Sequence, residues 1–142
     1  MKKPKIHIGI DPDVELSGVA VWDSERKDMD IYKLEFWQSI SEIESYLIPV
    51  HVYIEAGWLI KKSNWHNKSV QSKVVGEKIA KNVGANHQVG KLFYSYCIKK
   101  RIPVTLVKPK GKINNEIFKK ITGWKRSSNQ EMRDAAMLVY GI

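Results

Sequence analysis

Hydrophobic and polar positions alternate strictly in two stretches of the chain. In "KIHIGID", Ile6, Ile8 and Ile10 share one face while His7, Gly9 and Asp11 share the other. In "VHVYIEA", Val50, Val52 and Ile54 alternate with His51, Tyr53 and Glu55. A period of two marks a β-strand, and each of these strands ends in a carboxylate. Between them, "GVAVWD" and "DIYKLEFW" read as two further strands, set off by the turn-rich stretches "DPDVELSG" and "SERKDMD". Three strands joined by short turns predict an antiparallel meander. "SISEIESYL" then has helical spacing, and Ser39 with Glu42, or Ser41 with Glu44, offers a capping box. A helix placed before "VHVYIEA" implies a crossover, which makes the fourth strand parallel to an earlier one.

Beyond Glu55 the pattern changes. "GWLIKKSNWHNKS" is a polar loop, and "VQSKVVGEKIAKNVGANHQVGKLFYSYCIKKR" is helical, either as two helices or as one with a break near "NVGAN". "IPVTLVKP" is a fifth strand. "KGKINNEIFKKITG" is a basic loop and a short helix that Gly123 can end. A last helix follows "WKRSSNQ", with Ser127, Ser128 or Asn129 as its cap. The order β-β-β-α-β-α(α)-β-α-α predicts an α/β fold with a five-stranded mixed sheet flanked by helices. Without repeats or linkers, residues 1–142 are read as one domain.

Composition narrows the classes. Hydrophobic residues make up 43% of the 142, enough for a packed core rather than a disordered chain. No apolar run approaches the roughly 20 residues of a membrane span, and the basic start "MKKPK" leads straight into a strand. The expectation is a cytoplasmic protein with no membrane partner. Cys97 is the one cysteine, so an internal disulfide is excluded, and the four histidines lack zinc spacing.

Charge changes the picture most. Residues 1–55 carry six basic and eleven acidic side chains, residues 56–126 seventeen and two, and residues 127–142 one and two. An excess this large over the middle of the chain points to a polyanion, above all nucleic acid. The basic residues from Lys61 to Arg126, including Lys62, Lys68, Lys73, Lys110 and Lys125, are expected to track its backbone.

Against this basic background four acids stand out. Asp11 and Glu55 lie at the carboxyl ends of the first and fourth strands, where open α/β sheets place their sites. Glu131 and Asp134 are three apart, on one face of the last helix. Taken singly, each has an ordinary explanation, such as a turn, a solvated strand end, or an ion pair of Glu131 with Arg133 or Lys125. Four together, on a topology that can bring them close, suggest oxygen-only ligation of Mg²⁺, with Mn²⁺ as a substitute. Two such ions would suit phosphodiester hydrolysis.

"IGIDPDVELSGVAVWD", "PVHVYIEAGWL", "VGANHQVGKLFYSYCIKKRIPVTLVKP" and "EMRDAAML", in that order, resemble the successive motifs of the RuvC family of Holliday-junction resolvases. The resemblance covers nearly the whole chain. It implies a ribonuclease H-like fold, a Mg²⁺-dependent site, and a homodimer that nicks a four-way DNA junction to leave 5′-phosphates. By the same resemblance Asp11, Glu55, Glu131 and Asp134 match the metal-binding acids. Lys108 and Lys112 fall near lysines that contact the phosphate beside the site. Trp58 or Trp65 falls in the loop where relatives place an aromatic at the junction centre. Asp13 stands where the family has Gly, and Glu131 where many members have Asp or His, which suggests a divergent relative such as a phage-encoded one. Two other expectations stay open: a non-catalytic junction-binding module, and a ribonuclease H-like nuclease acting on RNA.

Overall fold

The computed structural model describes residues 3–60 and 70–142, with side chains over 3–60 and 76–142. Strands β1 (Ile6–Asp11), β2 (Ser17–Asp23) and β3 (Asp28–Leu34) form the meander. Helix α1 (Phe36–Glu44) then crosses to β4 (Val50–Glu55), which pairs parallel to β1. A single 3₁₀ turn, Gly57–Leu59, precedes the long α2 (Val70–Lys99), and β5 (Val104–Val107) returns parallel to β4. Helices α3 (Asn115–Thr122) and α4 (Gln130–Val139) complete the described chain. The strand order is β3-β2-β1-β4-β5. This is the expected five-stranded mixed sheet with its first three strands antiparallel.

Both faces of the sheet are covered, and the alternation of each strand divides its side chains between them. Ile6, Ile8, Ile10, Val19, Val21, Val50, Val52 and Ile54 form one core with Ile40 and Ile43 of α1 and Phe93 and Cys97 of α2. Burial raises the Cys97 thiol to about 12, so it stays protonated and inert. Ala20, Trp22, Met29 and Ile31 form the second core with Phe118 of α3 and Ala135, Ala136 and Val139 of α4. His7, Gly9 and Asp11 of β1, and His51, Tyr53 and Glu55 of β4, must therefore face the α4 layer.

Helix α4 lies unusually close to that face. A Cβ at Gly9 would run into the carbonyl of Ala135, and one at Gly18 into the carbonyl of Glu131. The two glycines thus form a seat for the backbone of α4, and Ala135 and Ala136 keep the helix side of the contact thin. Asn129 caps the helix, its Oδ1 accepting from the Met132 amide at 2.9 Å, which satisfies one of the open donors of the first turn.

Three local expectations are corrected. Helix α1 begins at Phe36, so "FW" belongs to the helix and not to β3. Its capping box is Glu35 with Gln38 rather than either Ser–Glu pair, and Ser39 is instead buried with its hydroxyl bonded to the Glu35 carbonyl at 2.9 Å. Helix α2 runs through "NVGAN" without a break. Gly84 has nothing within 4 Å of where a Cβ would sit, so no neighbouring element forces a turn there, and one glycine costs an exposed helix only about 1 kcal/mol. Gly123 does end α3, in the left-handed conformation at φ 72°.

Candidate metal centre

The register of β1 and β4 sets the first half of the site. Ile10 pairs with Ile54, so Asp11 and Glu55 leave the sheet edge side by side and on the α4 face. Asp134, one turn into α4, completes the group. Carboxylate oxygens of Asp11, Glu55 and Asp134 all lie within 4.8 Å of one another. They line a cleft of about 310 Å³ that also reaches Gln130, Glu131 and His87.

Two unit charges about 4 Å apart repel by roughly 4 kcal/mol at an effective dielectric of about 20. Burial, then the charges of Glu55 and Asp134, push Asp11 up to about 8. Burial also raises Glu55, against the pull of Lys112. Lys112 is the local counter-charge: its ammonium bonds to Asp134 Oδ2 and sits 3.7 Å from Glu55 Oε1. One ammonium cannot neutralise three carboxylates, and Asp11 retains the imbalance as a raised affinity for protons.

The donor set passes the chemical test for a hard cation. All three groups that could hold it are carboxylates converging from two strands and a helix, with no sulfur or imidazole among them. Their excess negative charge is what a divalent ion would relieve.

The fourth acid is placed differently. Glu131 lines the cleft but does not join the group of three. Its Oε2 accepts from the side-chain amide of Asn129 at 3.1 Å, and burial followed by the nearby Asp13 raises its affinity for protons. It pairs with neither Arg133 nor Lys125. Arg133 instead donates to the carbonyls of Ile113 at 3.0 Å and Ser128 at 2.6 Å, clamping the segment that carries Lys112 onto α4.

Among the other expected residues, Trp58 lines the cleft rim. It is half-buried against Pro12 and Gly90, where a Cβ would strike its ring, and near the ammonium of Lys91. Lys108, Lys110, Lys125 and Arg126 are exposed. Lys110 lies beside Glu55 and Asp134 in a small cleft, whereas Lys125 and Arg126 lie in another cleft altogether. Lys61, Lys62, Trp65 and Lys68, and the side chain of Lys73, fall outside the described residues.

Sequence reasoning missed Gln130, which donates to Asp134 Oδ1 at 2.8 Å and itself accepts from Arg133 at 3.1 Å. The signal was present, since Gln and Asp four apart on a helix are a standard hydrogen-bonding pair. His87 was missed as well. It comes from α2, packs against Gly57 and Trp58 and reaches the cleft through a fold contact that no spacing reveals.

No family model matches the chain, and a search of curated proteins finds no match either. Among solved structures, T. thermophilus RuvC in complex with Holliday junction substrate superposes with a TM-score of 0.56. The superposition covers 94% of this chain and 90% of that one at 13% identity. At that identity the likeness establishes the fold: the chain has the α/β architecture of RuvC.

Proposed function

We propose that the protein is a divalent-metal-dependent endonuclease that cleaves branched DNA, with the four-way junction as its substrate. The observation that carries this reading is the convergence of Asp11, Glu55 and Asp134 at the sheet edge of a RuvC-like fold, in a chain whose middle is strongly basic. Mg²⁺ or Mn²⁺ held there, as one ion or a pair, would orient a water for in-line attack at phosphorus and stabilise the leaving oxygen. Asp11, within reach of both other acids, would be shared. Glu55 and Asp134 would each complete one side, and Glu131 would assist from the rim. Lys112, freed from Asp134, would meet the phosphate and stabilise its developing charge, with Lys108 beside it. Gln130 and Arg133 hold Asp134 in place. The products would carry 5′-phosphates.

A homodimer would supply a second site for the opposite strand. Ile79 and Val83 of α2, one turn apart, support this, because they are 57% and 43% exposed. A labelled four-way junction incubated with Mg²⁺ or Mn²⁺ tests the reading. Cleavage into nicked duplexes, lost in Asp11→Asn, is expected. An uncut junction, or an Asp11→Asn variant as active as wild type, would overturn it. Binding that is equally tight with and without metal, and no cleavage, would favour a junction-binding module instead. An RNA hybrid competing better than the junction would favour the ribonuclease reading.

A further inference from the structure

Another cleft lies on the same layer as α4 but at the opposite end. Trp22 pairs with His7 near the start of β1, and Gly18 with Asp11 at its end. The cleft therefore sits about one length of α4 from the carboxylates, roughly 15 Å for its ten residues. Its volume is about 770 Å³, within the range of small-ligand sites.

Its walls are aromatic and its rim is charged. Trp22, Trp124 and Tyr140 line it, with Lys27, Asp28 and Asp30 from the β2–β3 turn and Lys125 and Arg126 from the α3–α4 connection. Two of the aromatics are tethered. Trp22 Nε1 donates to the Ile142 carbonyl at 3.0 Å, and the Tyr140 hydroxyl donates to that of Ile121 at 3.1 Å. Trp124 Nε1 is buried with no hydrogen-bond partner, so no hydrogen bond ties this ring as it does the other two. The Arg126 guanidinium lies over the Trp124 ring, 5.5 Å from its centroid.

These features select among ligands. Two carboxylates on the rim disfavour the bare phosphate backbone of a duplex. Trp22 is core and serves as the floor, but an unpaired nucleotide meets the groups above it: its base can stack beside Trp124, Tyr140 and Arg126, its exocyclic amine can donate to Asp28 or Asp30, and its phosphate suits Lys125 or Lys27. We propose that the cleft between the β2–β3 turn and the α3–α4 connection binds an unpaired nucleotide of the DNA whose backbone is cut at the carboxylates. This rests on the nuclease reading for the identity of the polymer.

The test reads binding alone. A short fluorescein-labelled single strand, and an abasic strand of equal length, are titrated by anisotropy in EDTA. The proteins are wild type, Arg126→Glu, Arg126→Lys and, as a charge control, Lys100→Glu, each checked for folding by circular dichroism. The intact strand should bind wild type about tenfold more tightly than the abasic one. Arg126→Glu should abolish that preference, Arg126→Lys should reduce it, and Lys100→Glu should keep it while weakening both strands alike. Equal binding of the two strands by wild type, or a preference that survives in Arg126→Glu, overturns the proposal. Junction cleavage measured in parallel separates the two ideas. A base preference without cleavage keeps the cleft and sinks the nuclease, and cleavage without a base preference does the reverse.

Discussion

Strands β1 and β4 present a like pair of ionisable side chains at each end of the same face. At one end His7 and His51 stack, their ring centroids 6.4 Å apart, with Tyr53 4.4 Å from His51. At the other end Asp11 and Glu55 meet Asp134. The two ends differ in how they can shed charge. Burial lowers both histidines, and His7 is lowered further by His51, so near neutral pH they rest uncharged and engage Tyr53 at 3.3 Å and Thr105 at 2.8 Å. The carboxylates shed charge only through a large shift, with Asp11 pushed up to about 8, and one lysine is too little compensation. Similar geometry thus gives a self-sufficient packing cluster at one end and a site in need of a cation at the other.

The sharpest way to break this comparison is by activity. Asp11→Asn is expected to lower junction cleavage by about a thousandfold or more, since the shared ligand is lost. His51→Gln, on the same face of the neighbouring strand, should stay within about threefold. Equal losses in a gel-based cleavage assay would mean that the two ends are not functionally distinct.

Gly18→Ala should separate the ends by packing. Its Cβ must push the start of α4 off the sheet, at a cost of about 1–3 kcal/mol. That movement draws Asp134 away from Asp11 and leaves the histidines in place. Denaturant melts should show the destabilisation, and Mg²⁺ should rescue the melting temperature less than it does in wild type.

The pH dependence of the metal-free protein should have opposite slopes from the two ends. Asp11 keeps its proton to about pH 8 when folded, against an ordinary value of 3.8. Its contribution to stability is therefore complete below about pH 4 and is lost as pH rises through 8. The lowered histidines contribute above their ordinary value of 6.5, and that contribution is lost as pH falls through their folded values. Urea midpoints across pH should show a weaker decline from about pH 4 to 8 in Asp11→Asn and a weaker fall below 6.5 in His7→Gln.

The smallest effect concerns Lys112. Lys112→Met removes the counter-charge of the acids, and because its side chain is more than half exposed the loss in metal-free stability should be under about 1 kcal/mol. Mg²⁺ should then bind more tightly by calorimetry, even as cleavage falls.

What the sequence made legible follows from periodicity. Alternation in β1 and β4 assigned each residue to a face, and so brings Asp11 and Glu55 together provided the two strands are neighbours, as the strand order makes them. The three-residue spacing of Glu131 and Asp134 was less informative. It puts both on one helix face, but Glu131 is in the first turn and engages the cap Asn129, while Asp134 is over the sheet edge. Ser39 looked like a cap because its spacing to Glu42 is right, yet the helix starts one turn earlier, where Glu35 and Gln38 form the box. Lys125 and Arg126 counted equally with Lys112 in the charge profile, although the fold sends them to opposite ends of α4. Spacing along the chain cannot show such a separation.

The seat beneath α4 bears on kinship. With 13% identity to RuvC, ancestry in this fold is hard to trace through the acids alone, because Asp and Glu are common and interchangeable. Gly9 and Gly18 are held by an absence: neither can acquire a side chain unless the helix above it moves. An alignment that weighs two empty positions on adjoining strands, together with Ala135 and Ala136 opposite, should find distant cousins that a search for carboxylates would pass over.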